Sequence, residues 1–169
     1  TAQSHDRCPA VEVMGRHAGY LALNAGIAVG ATSILLPEVE YDFQRDILDR
    51  IAETSKTGKK HFIIIVAEGV GGVEDIAKRI QEATGIETRK TVLGYIQRGG
   101  NPSPFDRNLA TRLGGYATQL IADKQFGRMV CVKDGEISSI PLAEVAGKLK
   151  LVTPEHDLII QGKRMGISF

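Results

Sequence analysis

The sequence predicts an α/β protein: an open, mostly parallel sheet with helices on both faces. Three observations carry this. Short apolar, β-branched runs alternate along the chain with segments of helical periodicity, and glycine or proline closes most of the runs. Residues 61–67, His-Phe-Ile-Ile-Ile-Val-Ala, are almost unbroken apolar, as in a strand covered on both faces. Repeated strand–helix order of this kind folds as a parallel sheet joined by crossover helices.

Residues 9–14 read as a strand that stops at Gly15, and Gly19, Leu21, Ala22, Ala25 and Ala28 recur at the spacing of a closely packed helix. A second strand over 32–36 ends at Pro37, and Ile47, Leu48 and Ile51 mark an amphipathic helix. The strand over 61–67 ends at Glu68-Gly69. Ile76, Ile80 and Ala83 form one face of a helix that Gly85 terminates, and 87–93 alternate as a strand. A glycine-rich loop over 94–103 follows. Ser103 then supplies an N-cap, Pro104 the first helical position and Asp106 the third, with Leu109, Leu113, Ala117, Leu120 and Ile121 along one face. Residues 128–133 read as a strand, Asp134-Gly135 as a turn and 142–146 as a brief helix. Beyond Lys148 only Leu151, Val152, Leu158, Ile159 and Ile160 stand out, as packing residues.

Composition narrows the function classes. Of 169 residues, 21 are Lys or Arg and 20 are Asp or Glu, a net charge of +1, which disfavours nucleic-acid binding through bulk positive charge. No apolar run approaches the ~20 residues of a membrane helix, so no membrane partner is expected. Cys8 and Cys131 lie in no Cys-x-x-Cys or Cys-x-x-His frame, so a zinc site or disulfide scaffold lacks support. Buried reduced thiols in a reducing cytoplasm fit better. The chain opens on Thr1-Ala2-Gln3-Ser4, neither an initiator methionine nor a signal peptide, and is expected to begin inside a longer protein.

In open α/β sheets, ligands bind beyond the carboxyl ends of the strands. Gly15-Arg16 offers a close backbone approach and a cation, although a solvated arginine after a turn explains the pair more simply. Gln97-Arg98-Gly99-Gly100 can gather N–H groups into an anion nest beside a guanidinium fork, or serve as a flexible connector. Glu68 is either a loop carboxylate or an acceptor for sugar hydroxyls. Arg7 and Arg89 add cations flanking strands. Together they point to a substrate with a phosphate at one end and hydroxyls at the other.

At this point several collinear stretches become recognisable. Ser4-His5-Asp6-Arg7, Val11 to Gly19, Pro37-Glu38-Val39-Glu40, Gly58-Lys59-Lys60-His61, Glu87-Thr88-Arg89, Val92 to Gly100 and Pro104-Phe105-Asp106-Arg107 resemble the bacterial ATP-dependent 6-phosphofructokinase family, over its carboxyl-terminal half. The resemblance implies a phosphofructokinase-like three-layer αβα fold. Residues 1–97 would be most of the fructose 6-phosphate domain, 98–148 part of the nucleotide domain and 149–169 a tail returning to the first.

It also implies a glycolytic kinase, a cytoplasmic homotetramer under allosteric control, that moves the γ-phosphate of ATP to fructose 6-phosphate with Mg2+. Arg7, Met14, Gly15, Arg16, Glu68, Arg89, Tyr95 and Arg98 correspond to the sugar-phosphate pocket. Tyr95 and Arg98 would hold the 6-phosphate, while Arg7 and Arg89 would reach the neighbouring subunit's site. Glu68 and the Met14-Gly15 backbone would orient the sugar, and Arg16 would sit catalytically near the transferring phosphoryl group. The family's Thr-x-Asp-x-Asp base motif and its Gly-Gly-Asp-Gly-Ser motif are not in this sequence, so the catalytic base, the metal ligands and most of the ATP cleft are expected upstream.

Tyr95 replaces a frequent histidine and can donate to phosphate but cannot carry positive charge near neutrality. Gly30, Ala31, Thr32, Thr57, Lys59, Lys60 and His61 correspond to the effector site for ADP or phosphoenolpyruvate, although a basic pair before a buried strand is more often a solvated loop. Thr32 stands where a magnesium-binding glutamate is common and Thr57 where a basic residue is, which predicts blunted allosteric control. Two rival functions remain at this level: a pyrophosphate-dependent phosphofructokinase, and a non-catalytic sugar-phosphate-binding module.

Overall fold

The computed structural model describes residues 6–169, so Ser4 and His5 of the opening motif lie outside the described residues. The chain divides into two units, Thr1–Arg98 with Lys150–Phe169, and Gly99–Leu149.

In the first unit, β1 (Cys8–Val13), β2 (Ser33–Leu35), β3 (Ile64–Ala67) and β4 (Thr88–Val92) form one four-stranded sheet in the order β2-β3-β1-β4, every pair parallel. Ala10 lies opposite Ile64 and Val13 opposite Ala67, while Cys8 lies opposite Thr88. The two-residue period of a strand divides the apolar side chains between two cores. Cys8, Ala10, Leu35, Ile64 and Val66 face α3 (Val73–Thr84), which contributes Ile76, Ala77 and Ile80. Val13, Ile34, Ile65 and Ala67 face the other side, where α1 (Tyr20–Ala28) packs Ala22 and Leu23. The unbroken apolar run before Glu68 thus has the cause inferred for it: both faces of β3 are covered.

The segment expected as an amphipathic helix around Ile47 and Ile51 starts as a π-helical turn, Gln44–Asp49, and continues as α2 (Arg50–Ser55). That turn carries the buried Asp46. Burial alone would push its pKa up, but the Arg45 guanidinium, the Asp42 N–H and the Ser168 hydroxyl outweigh this and hold it below the usual carboxylate value. The Ser168 contact ties the tail to the turn at 3.0 Å. A depressed folded pKa stabilises above the unfolded value of about 4 and loses that contribution as pH falls through the lower folded value. Asp46→Asn should therefore cost about 1–3 kcal/mol at neutral pH. It should also flatten the acid limb of a urea-midpoint profile; identical limbs in both proteins would contradict this.

The tail, unassigned by pattern beyond its packing residues, forms α6 (Asp157–Arg164) and then bridges Ser168 in parallel to Ser33. Val152 and Ile159 are buried as expected, whereas Leu151 and Ile160 are 47% and 40% exposed. Ile167 and Phe169, which the pattern did not single out, fill the core instead.

The second unit holds α4 (Pro104–Ala122), a hairpin of β5 (Arg128–Lys133) with β6 (Glu136–Pro141), and α5 (Leu142–Val145). The start of α4 is the capping box read from the sequence: Ser103 accepts the Asp106 N–H and Asp106 accepts the Ser103 N–H. Strand β6 was not expected, and it makes this sheet antiparallel. Leu120 is buried in this unit, while Phe105 and Phe126 are 73% and 71% exposed.

The cysteines differ in chemistry. Cys8 is fully buried, and desolvation pushes its thiol up to about 12 against the opposing Thr88 hydrogen bond; Cys131 is partly exposed. Because the thiolate is the reactive form, maleimide should label Cys131 in the folded protein and Cys8 only in denaturant. Peptide mass spectrometry showing equal native labelling would refute this.

Candidate functional site

The order β2-β3-β1-β4 sends the chain in opposite directions after β1 and after β3, so a crevice opens between their carboxyl ends. Met14-Gly15-Arg16 leaves β1 there and Glu68-Gly69 leaves β3. The Glu68 N–H donates to the Val13 carbonyl at 2.9 Å, and the Arg16 N–H donates to Glu68 Oε1. The tight exit from β1 requires unusual backbone: Gly15 has φ of 151° and Arg16 of 55°. A Cβ at Gly15 would meet the Ala18 carbonyl oxygen at 2.4 Å.

The loop after β4 contains a 3-10 turn, Gly94–Arg98, that brings Gln97 and Arg98 to the same place. The resulting cleft of about 540 Å3 is lined by Met14, Gly15, Arg16, Leu21, Glu68, Gln97 and Arg98. The guanidinium groups of Arg16 and Arg98 have no ion-pair partner among the described residues, whereas Arg7, Arg45, Arg50, Arg79 and Arg89 are each paired with a carboxylate. Two uncompensated cations beside one carboxylate suit a ligand that is anionic at one end and hydroxylated at the other.

Of the eight residues expected in the pocket, Met14, Gly15, Arg16, Glu68 and Arg98 line this cleft. Tyr95 lies on the same 3-10 turn, 83% exposed. Arg7 and Arg89 lie elsewhere, at the amino ends of β1 and β4. Glu87 accepts from Arg7 Nε at 2.7 Å and from Arg89 Nε at 2.7 Å, and the two guanidinium groups hold its carboxyl below the usual range.

The phosphofructokinase family model matches residues 1–121. The chain belongs to the phosphofructokinase family. Across its whole length it is 58% identical to ATP-dependent 6-phosphofructokinase 3 of Bacteroides thetaiotaomicron and 45% identical to the ATP-dependent 6-phosphofructokinase of Spirochaeta thermophila, covering 52% of each. The chain thus spans about half the length of these curated relatives. Among solved structures, phosphofructokinase from Saccharomyces cerevisiae superposes with a TM-score of 0.80 at 35% identity, over 86% of this chain and 21% of that one. A pyrophosphate-dependent phosphofructokinase from Nitrosospira multiformis gives 0.79 at 22% identity, over 96% of this chain and 48% of that one, a likeness of fold.

The positions expected at an effector site are spread. Lys59 and Lys60 line a separate cleft of about 440 Å3 together with Asp6 and Glu87. Ala31 and Thr32 are buried, and the Thr32 hydroxyl accepts the Ile63 N–H at 3.4 Å. The Thr57 hydroxyl donates to the Thr54 carbonyl at 2.7 Å, Gly30 follows α1 with φ of 60°, and His61 is half-buried before β3. Nor do the residues present make a Mg2+ site. The one carboxylate of the main cleft already accepts the Arg16 N–H, and the described residues contain no cluster of three or more His, Cys, Asp or Glu that could hold a metal.

Two residues outside the lining of this cleft, Gly69 and Glu38, hold the segments around it. Gly69, noticed only as a strand end, is required because a Cβ there would meet the Arg16 carbonyl oxygen at 2.4 Å. Glu38 accepts N–H groups from both Gly19 and Val152, joining the start of α1 to the tail. Nothing in local sequence signals either contact, since the partners lie 19 to 114 residues away from Glu38.

Proposed function

We propose that this chain is the sugar-phosphate-binding part of an ATP-dependent 6-phosphofructokinase, which transfers the γ-phosphate of ATP to the 1-hydroxyl of fructose 6-phosphate. The observation that carries this is that Arg16 and Arg98, without ion-pair partners among the described residues, line one cleft with Glu68 at the sheet's crossover point. The relatives matched over the whole chain bear the same activity in their names.

In this reading Arg98 and Tyr95 bind the 6-phosphate. The Met14-Gly15 backbone and Glu68 orient the sugar, and Arg16 neutralises charge on the phosphoryl group in flight. Phosphoryl transfer gains mainly from positioning and charge neutralisation, which suits residues that bind and orient without covalent chemistry. The hydroxyl's proton acceptor, Mg2+ and most ATP contacts belong to the half of the relatives' length outside this chain.

The unit Gly99–Leu149 is then a piece of the nucleotide domain, whose remainder would cover Phe105, Ile121 and Phe126. Arg7 and Arg89, preorganised by Glu87, serve a neighbouring subunit's phosphate within a cytoplasmic homotetramer. The effector response is weak, since the Thr32 and Thr57 hydroxyls are engaged within the chain.

Calorimetric titration tests the site. Fructose 6-phosphate should bind more tightly than inorganic phosphate, and both more tightly than fructose. No preference for the sugar phosphate would overturn the proposal. Within a full-length subunit, ATP and not pyrophosphate should support formation of fructose 1,6-bisphosphate.

A further inference from the structure

Arg16 lines the main cleft from a loop whose backbone is strained: its φ of 55° is one that a residue with a side chain adopts only where the surroundings impose it. Three N–H groups of the segment from Gly15 to Gly19 carry that constraint. Arg16 donates to Glu68, Ala18 donates to the Gly15 carbonyl at 3.0 Å, and Gly19 donates to Glu38 Oε1 at 2.9 Å. The loop is thus pinned from two sides, by Glu68 after β3 and by Glu38 after β2.

Glu38 does not line the cleft; it caps a helix from a distance. Gly19 is the N-cap of α1, has no side chain to cap with, and is followed by a first turn without an acid. The open N–H end of the helix draws its carboxylate from 19 residues further on. That approach requires glycine, because a Cβ on Gly19 would meet Glu38 Oε2 at 2.8 Å and Leu36 Cδ2 at 2.7 Å. On its other side the same Oε1 accepts the N–H of buried Val152 at 2.9 Å, and the Tyr20 hydroxyl donates to the Leu151 carbonyl at 2.9 Å. The segment that re-enters the first unit at Lys150 therefore holds both the carboxylate and the first turn of α1.

We propose that Glu38 is a positioning residue for phosphoryl transfer: by fixing the entry to α1 it keeps the Arg16 backbone left-handed and so directs the guanidinium to the reacting phosphoryl group. The inference rests on the reading of Arg16 as the cation for that group, and adds the residue that sets the cation's direction. The Arg16 side chain is exposed and has no ion-pair partner among the described residues, so its direction follows from its backbone. Without the Glu38 carboxylate, Gly19 loses its acceptor, Arg16 relaxes to negative φ, and its side chain swings away from the cleft. Arg98 stands on a different loop, after β4, so substrate binding and chemistry should part.

Amide exchange tests the pin without reference to activity. In Glu38→Ala the Arg16 N–H, as well as the Gly19 N–H, should exchange at least about tenfold faster than in the unsubstituted chain. Glu38→Asp, one methylene shorter and still charged, should show the same change and serves if the alanine variant does not fold. Faster exchange at Gly19 alone would overturn the proposal, because the constraint would then not reach Arg16.

In a full-length subunit, Glu38→Ala should lower kcat about 10- to 100-fold, the effect of a displacement near 1 Å, while KM for fructose 6-phosphate stays within about threefold. Glu38→Gln, whose carbonyl oxygen can still accept from Gly19 and Val152, should recover most of the kcat. Tyr20→Phe, which releases only the tail contact, should lower Tm and leave kcat unchanged. In an Arg16→Ala background, Glu38→Ala should change kcat by less than about threefold, since the group it directs is gone. Equal kcat losses in both backgrounds, a matching loss in Tyr20→Phe, or an unchanged kcat in Glu38→Ala would overturn the role and mark Glu38 as a structural cap. A full-length subunit that forms no fructose 1,6-bisphosphate would instead overturn the reading of the site, and amide exchange would still decide whether Glu38 fixes the Arg16 loop.

Discussion

Arg98→Ala should weaken fructose 6-phosphate binding by roughly 2 kcal/mol, about 30-fold, the lower end of the range for losing one partner of a desolvated charge pair. The lower end applies because Arg98 is exposed at the end of its 3-10 turn before ligand arrives. It makes no ion pair among the described residues, so its removal frees no carboxylate and should leave Tm almost unchanged. Inorganic phosphate affinity should fall in parallel, and fructose affinity should not. Arg98→Lys should recover part of the loss, since an ammonium keeps the charge but not the two-pronged geometry. Calorimetry with the three ligands separates these outcomes; an unchanged dissociation constant for the sugar phosphate would remove Arg98 from the site.

This pattern of losses also distinguishes the arginines from one another, which residue order alone did not do. Arg7, Arg16, Arg89 and Arg98 all flank strands in the sequence, and residue order alone gathers all four near phosphate. Flanking does not say which end of a strand is meant. Arg16 and Arg98 follow their strands and reach the cleft, while Arg7 precedes β1, Arg89 lies at the start of β4, and both settle on Glu87. Periodicity fared better where burial is two-sided: β1 and β3 were legible because alternate residues enter two different cores. It fared worse for β6, whose Ser138 and Ser139 interrupt any apolar signal, although the Asp134-Gly135 turn after a strand is itself a hairpin cue. The tail resisted reading because its anchors, Ile167 and Phe169, are held by contacts with distant parts of the chain: Ser168 bridges Ser33, and Phe169 closes over Gly162.

Gly69→Ala is expected to damage binding more than any substitution of a single ligand-facing charge, although Gly69 does not line the cleft. The methyl carbon would stand 2.4 Å from the Arg16 carbonyl oxygen and 3.1 Å from Pro37 Cβ. Neither neighbour is the free end of a flexible side chain, so relief has to come from backbone. Glu68 is fixed by its N–H to Val13 and by the parallel pairing of β3 on both sides, so the loop over Met14, Gly15 and Arg16 has to move. That loop already holds Gly15 and Arg16 at positive φ, with little room to adjust. Moving it breaks the Arg16 N–H to Glu68 contact and carries the Arg16 guanidinium away from Arg98. Overpacking of this kind costs about 1–3 kcal/mol of stability, and a displacement near 1 Å at a positioned site costs about 100-fold in function. The variant should therefore still fold, with a lower urea midpoint, and bind fructose 6-phosphate about 100-fold more weakly. A midpoint that drops while affinity stays at the wild-type value would show that the loop absorbs the methyl group without moving Arg16, and that the close packing of β1 and β3 ends is not what shapes the cleft.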